Sequence, residues 1–290
     1  MLPFQTNPTR HQFNRLALAL FIYELIFQLG GYLILLFHAG LASYEGLAML
    51  LAGFLALLAA TRILGIHSVG HTYKRFHAVT YLRLLFLVYG LQAYSTILLD
   101  PVEKFLKSMG FSLEYATEAA SGSITGFWML IYSILAAPIL EECLFRGLIY
   151  GSLRRYGKIF AVLISAFLFG LMHGNIIQFF TALLIGSLFA WIRETYGLPC
   201  SILMHISNNA FAILFNQYMQ ENLWVYSLYN LLVYGGMIYM LWFLLRHFPE
   251  ILAQLRNETN LGKMLSQFFT SLGVILILIL FLGITALNLE

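Results

Sequence analysis

Long apolar stretches separated by short polar segments dominate the sequence. A helix that spans a bilayer needs about 20 predominantly apolar residues, and nine stretches of about that length are present. Because apolar composition does not fix where one helix ends and the next begins, the number of spanning helices is eight or nine. The pattern predicts an all-α, polytopic transmembrane helix bundle with helices four to seven as its core. The stretches are centred near Ile26, Leu55, Tyr89, Ser133, Ile164, Leu184, Asn208, Val233 and Ile277.

The composition agrees with a membrane protein. Of the 290 residues, 60% are hydrophobic and 10% are charged, whereas about 25% are charged in an average soluble domain. No internal repeat or linker divides the chain, so residues 1–290 are predicted to form a single membrane domain. Cys143 and Cys200 lie within apolar stretches, which indicates small core residues rather than an extracellular disulfide.

Basic residues are concentrated in alternate loops. The positive-inside rule then places these loops and the N-terminus in the cytoplasm, and the C-terminus outside. We expect the plasma membrane of a prokaryote. The net charge of +3 is not gathered on one face, so nucleic-acid binding is excluded. The loop after Asp100 mixes both signs of charge and predicts a short surface helix. The basic residues of the alternate loops are Arg10, Arg15, Arg62, Lys74, Arg75, Arg83, Arg154, Arg155, Lys158, Arg193, Arg246, Arg256 and Lys263.

Ionisable side chains inside the fourth apolar stretch are the first candidates for function, because such residues are costly in a membrane. Glu142 precedes Arg146 by four residues, which predicts an ion pair on one helix face. Adjacent helical residues point about 100° apart, so Glu141 is predicted to have a different role from Glu142. The simpler alternative is that both carboxylates are structural.

His173 is predicted to lie at the same depth as Glu141. A turn near Tyr156 and Gly157 would join two antiparallel helices, with Glu141 sixteen residues before Gly157 and His173 sixteen after it. At a rise of about 1.5 Å per residue, both side chains would lie roughly 24 Å from the turn. A carboxylate and an imidazole could therefore meet. The alternative is a histidine that only packs against a neighbour.

His205 and Asn209 are four residues apart in the seventh apolar stretch, so they share a helix face. Asn208 lies next to that face and could support it. The alternative is that these polar side chains only hydrogen-bond one helix to another, as Asn and His commonly do in membranes.

Together, these residues suit peptide hydrolysis. If Glu141, His173, His205 and Asn209 converge in a pocket of low dielectric constant, they supply a base for water, a partner that orients it, and donors for a developing oxyanion. Ser207 points about 200° away from His205 around the helix, so a covalent nucleophile is less favoured. Zinc is the alternative, with Glu141, His173 and His205 as three ligands. Because the sequence has no HExxH pair, we favour a reaction without a metal or other cofactor.

Three ordered motifs resemble those of the CPBP family of intramembrane proteases. EECLFR at Glu141–Arg146 is similar to EExxxR, FGLMH at Phe169–His173 to FxxxH, and HISNN at His205–Asn209 to HxxxN. The family includes type II CAAX prenyl proteases and bacteriocin-processing or immunity proteins. The resemblance places a catalytic core at residues 126–212.

The resemblance implies proteolysis within the membrane, on a membrane-associated protein or peptide. It implies that Glu141 and His173 activate water, and that His205 and Asn209 stabilise the tetrahedral oxyanion. Family usage varies between glutamate protease and metalloprotease, and we favour the glutamate type. The supporting positions are Glu142, Arg146, Phe169 and Asn208.

Two other classes of function compete with this interpretation. A catalytically silent relative could act as an immunity or scaffold protein, although the presence of every motif residue favours activity. Alternatively, His173 and His205 could hold haem or a quinone in an electron carrier. Glu141 would then have no evident purpose, and a visible absorption spectrum would separate this case from a peptidase.

Overall fold

The computed structural model describes residues 8–37, 44–66, 73–113, 116–117 and 126–289, and within them it contains ten main helices and no strand. The predicted all-α architecture is confirmed. The helices are α1 (Pro8–Phe37), α2 (Glu45–Leu64), α3 (Ala78–Ser108), α4 (Phe127–Tyr156), α5 (Lys158–Met172), α6 (Ile176–Tyr196), α7 (Leu198–Tyr218), α8 (Leu223–Asn257), α9 (Leu261–Phe269) and α10 (Leu272–Leu287).

Each of the nine apolar stretches is helical in the part of the chain that the structure describes. Seven helices there are long and apolar enough to cross a membrane, and α9 with α10, bent by 71°, can form an eighth span. The fifth stretch became α5, which has 15 residues and is shorter than an ordinary span of about 20. The protein is therefore a polytopic helical membrane protein.

The helices belong to two compact units. The first contains α1, α2, α4, α9, the start of α5 to Ala161 and α10 as far as Gly283. In it, α1 packs along α2, and α2 packs against α4. The second contains α3, α6, α7, α8 and the remainder of α5 and α10. There, α3 packs against α6 and α8, and α6 packs against α7.

Two glycines set the packing of the second unit. A Cβ atom on Gly90 of α3 would lie 2.4 Å from the carbonyl oxygen of Gly236 on α8, and one on Gly236 would lie 2.6 Å from Phe86 O. Only residues without a side chain allow two helix backbones to approach so closely. This contact fixes the position of α3, which carries the polar side chains of Gln92 and Ser95.

The predicted turn between the fourth and fifth stretches is confirmed in the first unit. Helix α4 ends at Tyr156, Gly157 has φ +141°, and α5 begins at Lys158. The Glu258 carboxylate accepts hydrogen bonds from the N–H groups of Ile159 and Phe160, at 2.9 and 3.2 Å. These bonds satisfy two of the N–H groups that a helix start leaves without a helical partner.

The short surface helix predicted after Asp100 is present as far as Ser108, as the continuation of α3. Helix α3 continues through Pro101 to Ser108, and Lys104 and Lys107 pair with Asp100 and Glu103 four residues earlier, both at 2.7 Å. These (i, i+4) pairs favour continuation of the helix. Residues 114–115 and 118–125 of the loop lie outside the described residues.

Candidate active site

Glu141 and Glu142 lie between two π-helical turns of α4. The sequence supplies a reason for the first of these turns, because Pro138 has no backbone N–H and cannot form an α-helical hydrogen bond. The N–H of Ala137 instead bonds to the carbonyl of Tyr132, five residues earlier. Turns of this kind are frequent at functional sites. The π-helical turns are Tyr132–Ala136 and Cys143–Ile149, and the α-helical turn between them is Ala137–Glu142.

Glu142 and Arg146 form the ion pair that their spacing predicted. Arg146 Nη1 lies 3.0 Å from Glu142 Oε1, and neither side chain has any exposed surface. A charge in such a position is stable only with a partner, because water cannot solvate it. The pair therefore connects the helical turn that carries the two glutamates to the π-helical turn that follows.

Glu141 is only half-buried, unlike its neighbour. It lies close enough to Tyr23 and Glu24 of α1, and to Tyr132 of α4, to interact with them electrostatically. Glu24 is 8% exposed and accepts a hydrogen bond of 3.4 Å from Gln28 Nε2. Glu24 was not among the residues predicted from the sequence, although a carboxylate within the first apolar stretch is a signal of the same kind.

His173 lies in the turn that follows α5, one residue after the helix ends at Met172. Its Nδ1 is 2.8 Å from the carbonyl oxygen of Phe169, and the two rings meet edge to face at 4.9 Å. Because a carbonyl can only accept, Nδ1 carries the hydrogen, and Nε2 of the neutral ring keeps its lone pair. The Phe169 backbone thus makes Nε2 the basic atom of His173.

Two asparagines hold the turn that contains His173. Gly174 has φ +57°, and its carbonyl accepts a 2.7 Å hydrogen bond from Asn288 Nδ2. Asn175 Oδ1 caps the first turn of α6, and Asn175 Nδ2 donates to Ala116 O at 2.8 Å. These bonds fix the backbone on the C-terminal side of His173.

His205 lies in α7 between two phenylalanine rings and is 5% exposed. The centroid of Phe169 is 5.8 Å from its ring, and that of Phe189, on α6, is 5.0 Å away. Ser201 Oγ donates to the Phe189 carbonyl at 3.2 Å, which links α7 to α6 one turn before His205. Phe169 therefore contacts both histidines that the motifs identified.

Two hydrogen bonds between side-chain amides link Gln92, Asn208 and Asn209. Gln92 Nε2, on α3, donates to Asn208 Oδ1 at 2.6 Å, and Asn208 Nδ2 donates to Asn209 Oδ1 at 3.2 Å. Because the oxygen of Asn209 is the accepting end, its Nδ2 is the atom with hydrogens to give. An oxyanion needs such a donor.

Ser207 is engaged elsewhere. Its Oγ donates to the Leu203 carbonyl at 2.8 Å and receives a hydrogen bond from the Tyr81 hydroxyl at 2.9 Å. The single hydroxyl hydrogen of Ser207 is thus directed at its own helix. This arrangement agrees with the prediction that Ser207 is not a covalent nucleophile.

The side chains of Glu141, His173 and His205 suit zinc binding as well as proton transfer, since a carboxylate and two imidazoles are typical zinc ligands. Glu141 belongs to the first unit, and His173 and His205 belong to the second. Within either unit by itself, the described residues contain no group of three His, Cys, Asp or Glu side chains that could hold a metal ion.

The predicted residues thus form one group in each unit. Glu141, Glu142 and Arg146 share one segment of α4, while His173 and His205 share contacts with Phe169 in the second unit. The meeting of Glu141 with His173 stays a prediction. The residues of these groups that were not predicted from the sequence are Glu24, Gln92, Asn175 and Phe189. Of these, Phe189 gives no sequence signal, because phenylalanine is common in apolar helices.

Comparison with known proteins finds relatives of the segment that carries Glu141, His173, His205 and Asn209. Residues 123–211 match the model of the Rce1-like family, type II CAAX prenyl endopeptidases. A curated protein of Bacillus subtilis (strain 168), the candidate membrane peptidase YdiL, is 33% identical over 88 residues. That match covers 30% of this chain and 36% of YdiL, so the chain matches about a third of the relative's length. No solved structure matches. The resemblance to CPBP proteases is confirmed for this segment.

Proposed function

We propose, on the premise that residues 123–211 resemble CPBP-type peptidases, that this protein is an intramembrane endopeptidase. It hydrolyses a peptide bond of a membrane-associated protein or peptide. The family match supports the proposal most strongly, because it includes all four predicted catalytic residues: Glu141, His173, His205 and Asn209. The proposed catalytic core is residues 126–212, within a single membrane domain of residues 1–290.

In the first proposed step, Glu141 and His173 activate a water molecule. The Glu141 carboxylate accepts a proton from the water as its oxygen bonds to the scissile carbonyl carbon. His173 Nε2 orients the water by accepting a hydrogen bond from it. Nε2 can accept because the hydrogen of the ring is on Nδ1, which donates to Phe169 O. Phe169 therefore supports catalysis through both its carbonyl and its ring.

In the second proposed step, His205 and Asn209 stabilise the negative charge on the former carbonyl oxygen. A ring N–H of His205 and Asn209 Nδ2 donate to this oxyanion, and such donors act strongly where water is excluded. The C–N bond then breaks, and the proton held by Glu141 passes to the leaving amine. Asn208 supports Asn209 through its hydrogen bond, and the Glu142–Arg146 pair supports the helix that carries Glu141.

The proposed setting is the plasma membrane of a prokaryote, with the N-terminus in the cytoplasm. The lipid bilayer covers the apolar side chains that the helices leave exposed, such as Ile238 and Leu245 of α8, at 73% and 72%. The positive-inside distribution supports this orientation. We expect alkaline phosphatase to be active when fused after Ser108 and inactive when fused after Asn257. The reverse pattern would invert the topology.

A comparison of two strains tests the proposed activity even though the substrate is not identified. Cells that express the wild type are compared with cells that express Glu141→Ala, by mass spectrometry of the membrane proteome and of released peptides. We expect at least one membrane protein to accumulate at full length, and its fragment to disappear, in the variant. Identical profiles under conditions in which both proteins are expressed would contradict the proposal.

A zinc peptidase that uses the same residues is the alternative mechanism. Zinc bound by Glu141, His173 and His205 would polarise the carbonyl and lower the pKa of a bound water. We favour the glutamate type because the sequence has no paired-histidine helix motif, and because Asn209 suits oxyanion donation better than zinc ligation.

Metal analysis separates the two mechanisms. We expect purified active protein to contain far less than one zinc per chain and to survive prolonged chelation, because carboxylate-activated water needs no ion. Elemental analysis and activity should be measured on the same preparation. About one zinc per active chain, with activity lost on stripping and restored by zinc, would overturn the glutamate mechanism and keep the peptidase assignment.

A further inference from the structure

The end of α10 lies against the turn that contains His173, although α10 is outside the segment that the family comparison covers. Asn288, which follows the last residue of the helix, donates from Nδ2 to the Gly174 carbonyl oxygen at 2.7 Å. Ile284, one turn earlier, contacts the same glycine: a Cβ atom on Gly174 would lie 2.7 Å from Ile284 Cγ2. Two side chains at the end of α10 thus contact the residue that directly follows His173.

Gly174 needs partners outside its own turn to keep its conformation. It has φ +57°, and a glycine adopts positive and negative φ about equally readily, so its own sterics do not select this state. Gly174 is also buried, and a buried carbonyl group needs a hydrogen-bond partner. Asn288 supplies that partner, so the conformation of the turn depends on a donor from the end of α10.

The local backbone bonds hold the turn less closely than Asn288 does. The N–H of His173 bonds to Gly170 O at 3.3 Å, and the N–H of Gly174 bonds to Leu171 O at 3.0 Å. The first of these is longer than the usual range of about 2.7 to 3.2 Å for such bonds. The bond from Asn288, at 2.7 Å, is the shortest of the three. The backbone that carries the imidazole is therefore held most closely from α10.

The position of the turn decides the position of His173 Nε2. The ring is held at Nδ1 by the Phe169 carbonyl, which belongs to α5, whereas the backbone of His173 lies in the turn after that helix. If the turn shifts, either Nε2 moves or the bond from Nδ1 to Phe169 O is stretched. A misplacement of about 1 Å of a catalytic group can cost about a hundredfold in rate.

We propose that Asn288 is a positioning residue for the peptidase reaction: by donating to the Gly174 carbonyl, it keeps His173 Nε2 where it orients the attacking water. This inference rests on the proposed function. It assigns a role to a residue that no family motif includes, and it gives the end of α10 a part in catalysis.

Two substitutions at Asn288 separate the loss of the donor from its reversal. Asn288→Ala removes the hydrogen bond, and we expect kcat to fall about tenfold as the turn loosens. Asn288→Asp keeps the shape of the side chain, but an ionised carboxylate has only acceptors and would repel the Gly174 carbonyl oxygen. We expect this variant to lose about a hundredfold in kcat, because the turn is pushed away rather than only released. KM should change little, since the proposed role of His173 is to orient water and not to bind substrate.

His173→Ala provides the coupling test, measured with enzyme in excess over substrate. In that background the imidazole is already absent, so adding Asn288→Ala should cause no further loss of kcat. This non-additivity is expected of residues that act through one another. Asn230 of α8 donates from Nδ2 to the Tyr226 carbonyl at 2.9 Å and supplies matched controls: Asn230→Ala and Asn230→Asp should both leave kcat unchanged. Melting temperature should be measured for every variant, so that misfolding is recognised.

The outcomes are distinct. If the wild type cleaves, Glu141→Gln does not, and both Asn288 variants keep kcat within about threefold, the inference is wrong and the proposed function stands. An equal loss of kcat from Asn288→Ala with and without the His173 imidazole also overturns the inference, because it indicates a packing role. A change confined to KM or to the melting temperature does the same. If the wild type itself does not cleave a substrate identified by the strain comparison, the proposed function fails, and the inference fails with it.

Discussion

Glu141→Gln is expected to abolish cleavage while the protein still accumulates in the membrane. The substitution keeps the size and polarity of the side chain, but an amide cannot accept a proton from water at neutral pH. General-base catalysis typically contributes about 10² to 10⁴ in rate, so we expect kcat to fall by roughly a thousandfold. Because Glu141 is half-buried and Gln is nearly isosteric with Glu, we expect the variant to fold as the wild type does.

His173→Ala should have an effect of similar size. The imidazole lies in a turn held by Asn288 and Asn175 rather than within a helix, so its removal should leave the backbone intact. The variant loses the atom that orients the water, Nε2. Activity should be measured on purified protein in lipid with a substrate from the strain comparison, together with the melting temperature.

Partly exposed residues of the same types provide the controls. Glu103, which pairs with Lys107, and His247, which contacts Glu250, both lie outside the matched segment. Glu103→Gln and His247→Ala should therefore retain wild-type activity, since exposed pairs contribute about 0 to 1 kcal/mol to stability. Activity within about tenfold of wild type in Glu141→Gln and His173→Ala would remove both residues from the catalytic step.

The helices were predictable because each apolar stretch must satisfy its own backbone hydrogen bonds in lipid. The Glu142–Arg146 pair was predictable from a local spacing of four residues. The π-helical turns on either side of Glu141 were not predictable, because composition does not reveal whether a backbone N–H bonds to the carbonyl four or five residues earlier. Pro138 was the one local signal.

The surroundings of the predicted catalytic residues depend on contacts between distant segments. Gln92 meets Asn208 across 116 positions of sequence, and nothing in either helix by itself identifies the other as its partner. His173 was expected within a helix, whereas it lies in the turn after α5, because a 15-residue helix ends at Met172. Glu24 could have been found by the rule that identified Glu141, since both are carboxylates in apolar stretches.

Arg146→Ala is expected to destabilise the protein rather than to act on the chemical step alone. Both partners of the Glu142–Arg146 pair are completely buried, with N and O atoms 3.0 Å apart. Removing the guanidinium leaves a buried carboxylate without this counter-charge, which costs about 3 to 5 kcal/mol. That loss corresponds to a fall of roughly 10 °C in the melting temperature of a protein of this size.

A double substitution distinguishes an ion-pair role from a catalytic one. Replacing both partners, as in Glu142→Gln with Arg146→Met, removes the buried charges together, and such replacements are often neutral or stabilising. We therefore expect the double variant to recover most of the lost melting temperature, measured in lipid or mild detergent. Lys107→Ala breaks an exposed pair with the same spacing and should change stability by less than about 1 kcal/mol. An Arg146→Ala protein that is as stable as wild type but inactive would contradict the structural role and indicate direct participation of Arg146 in catalysis or substrate binding.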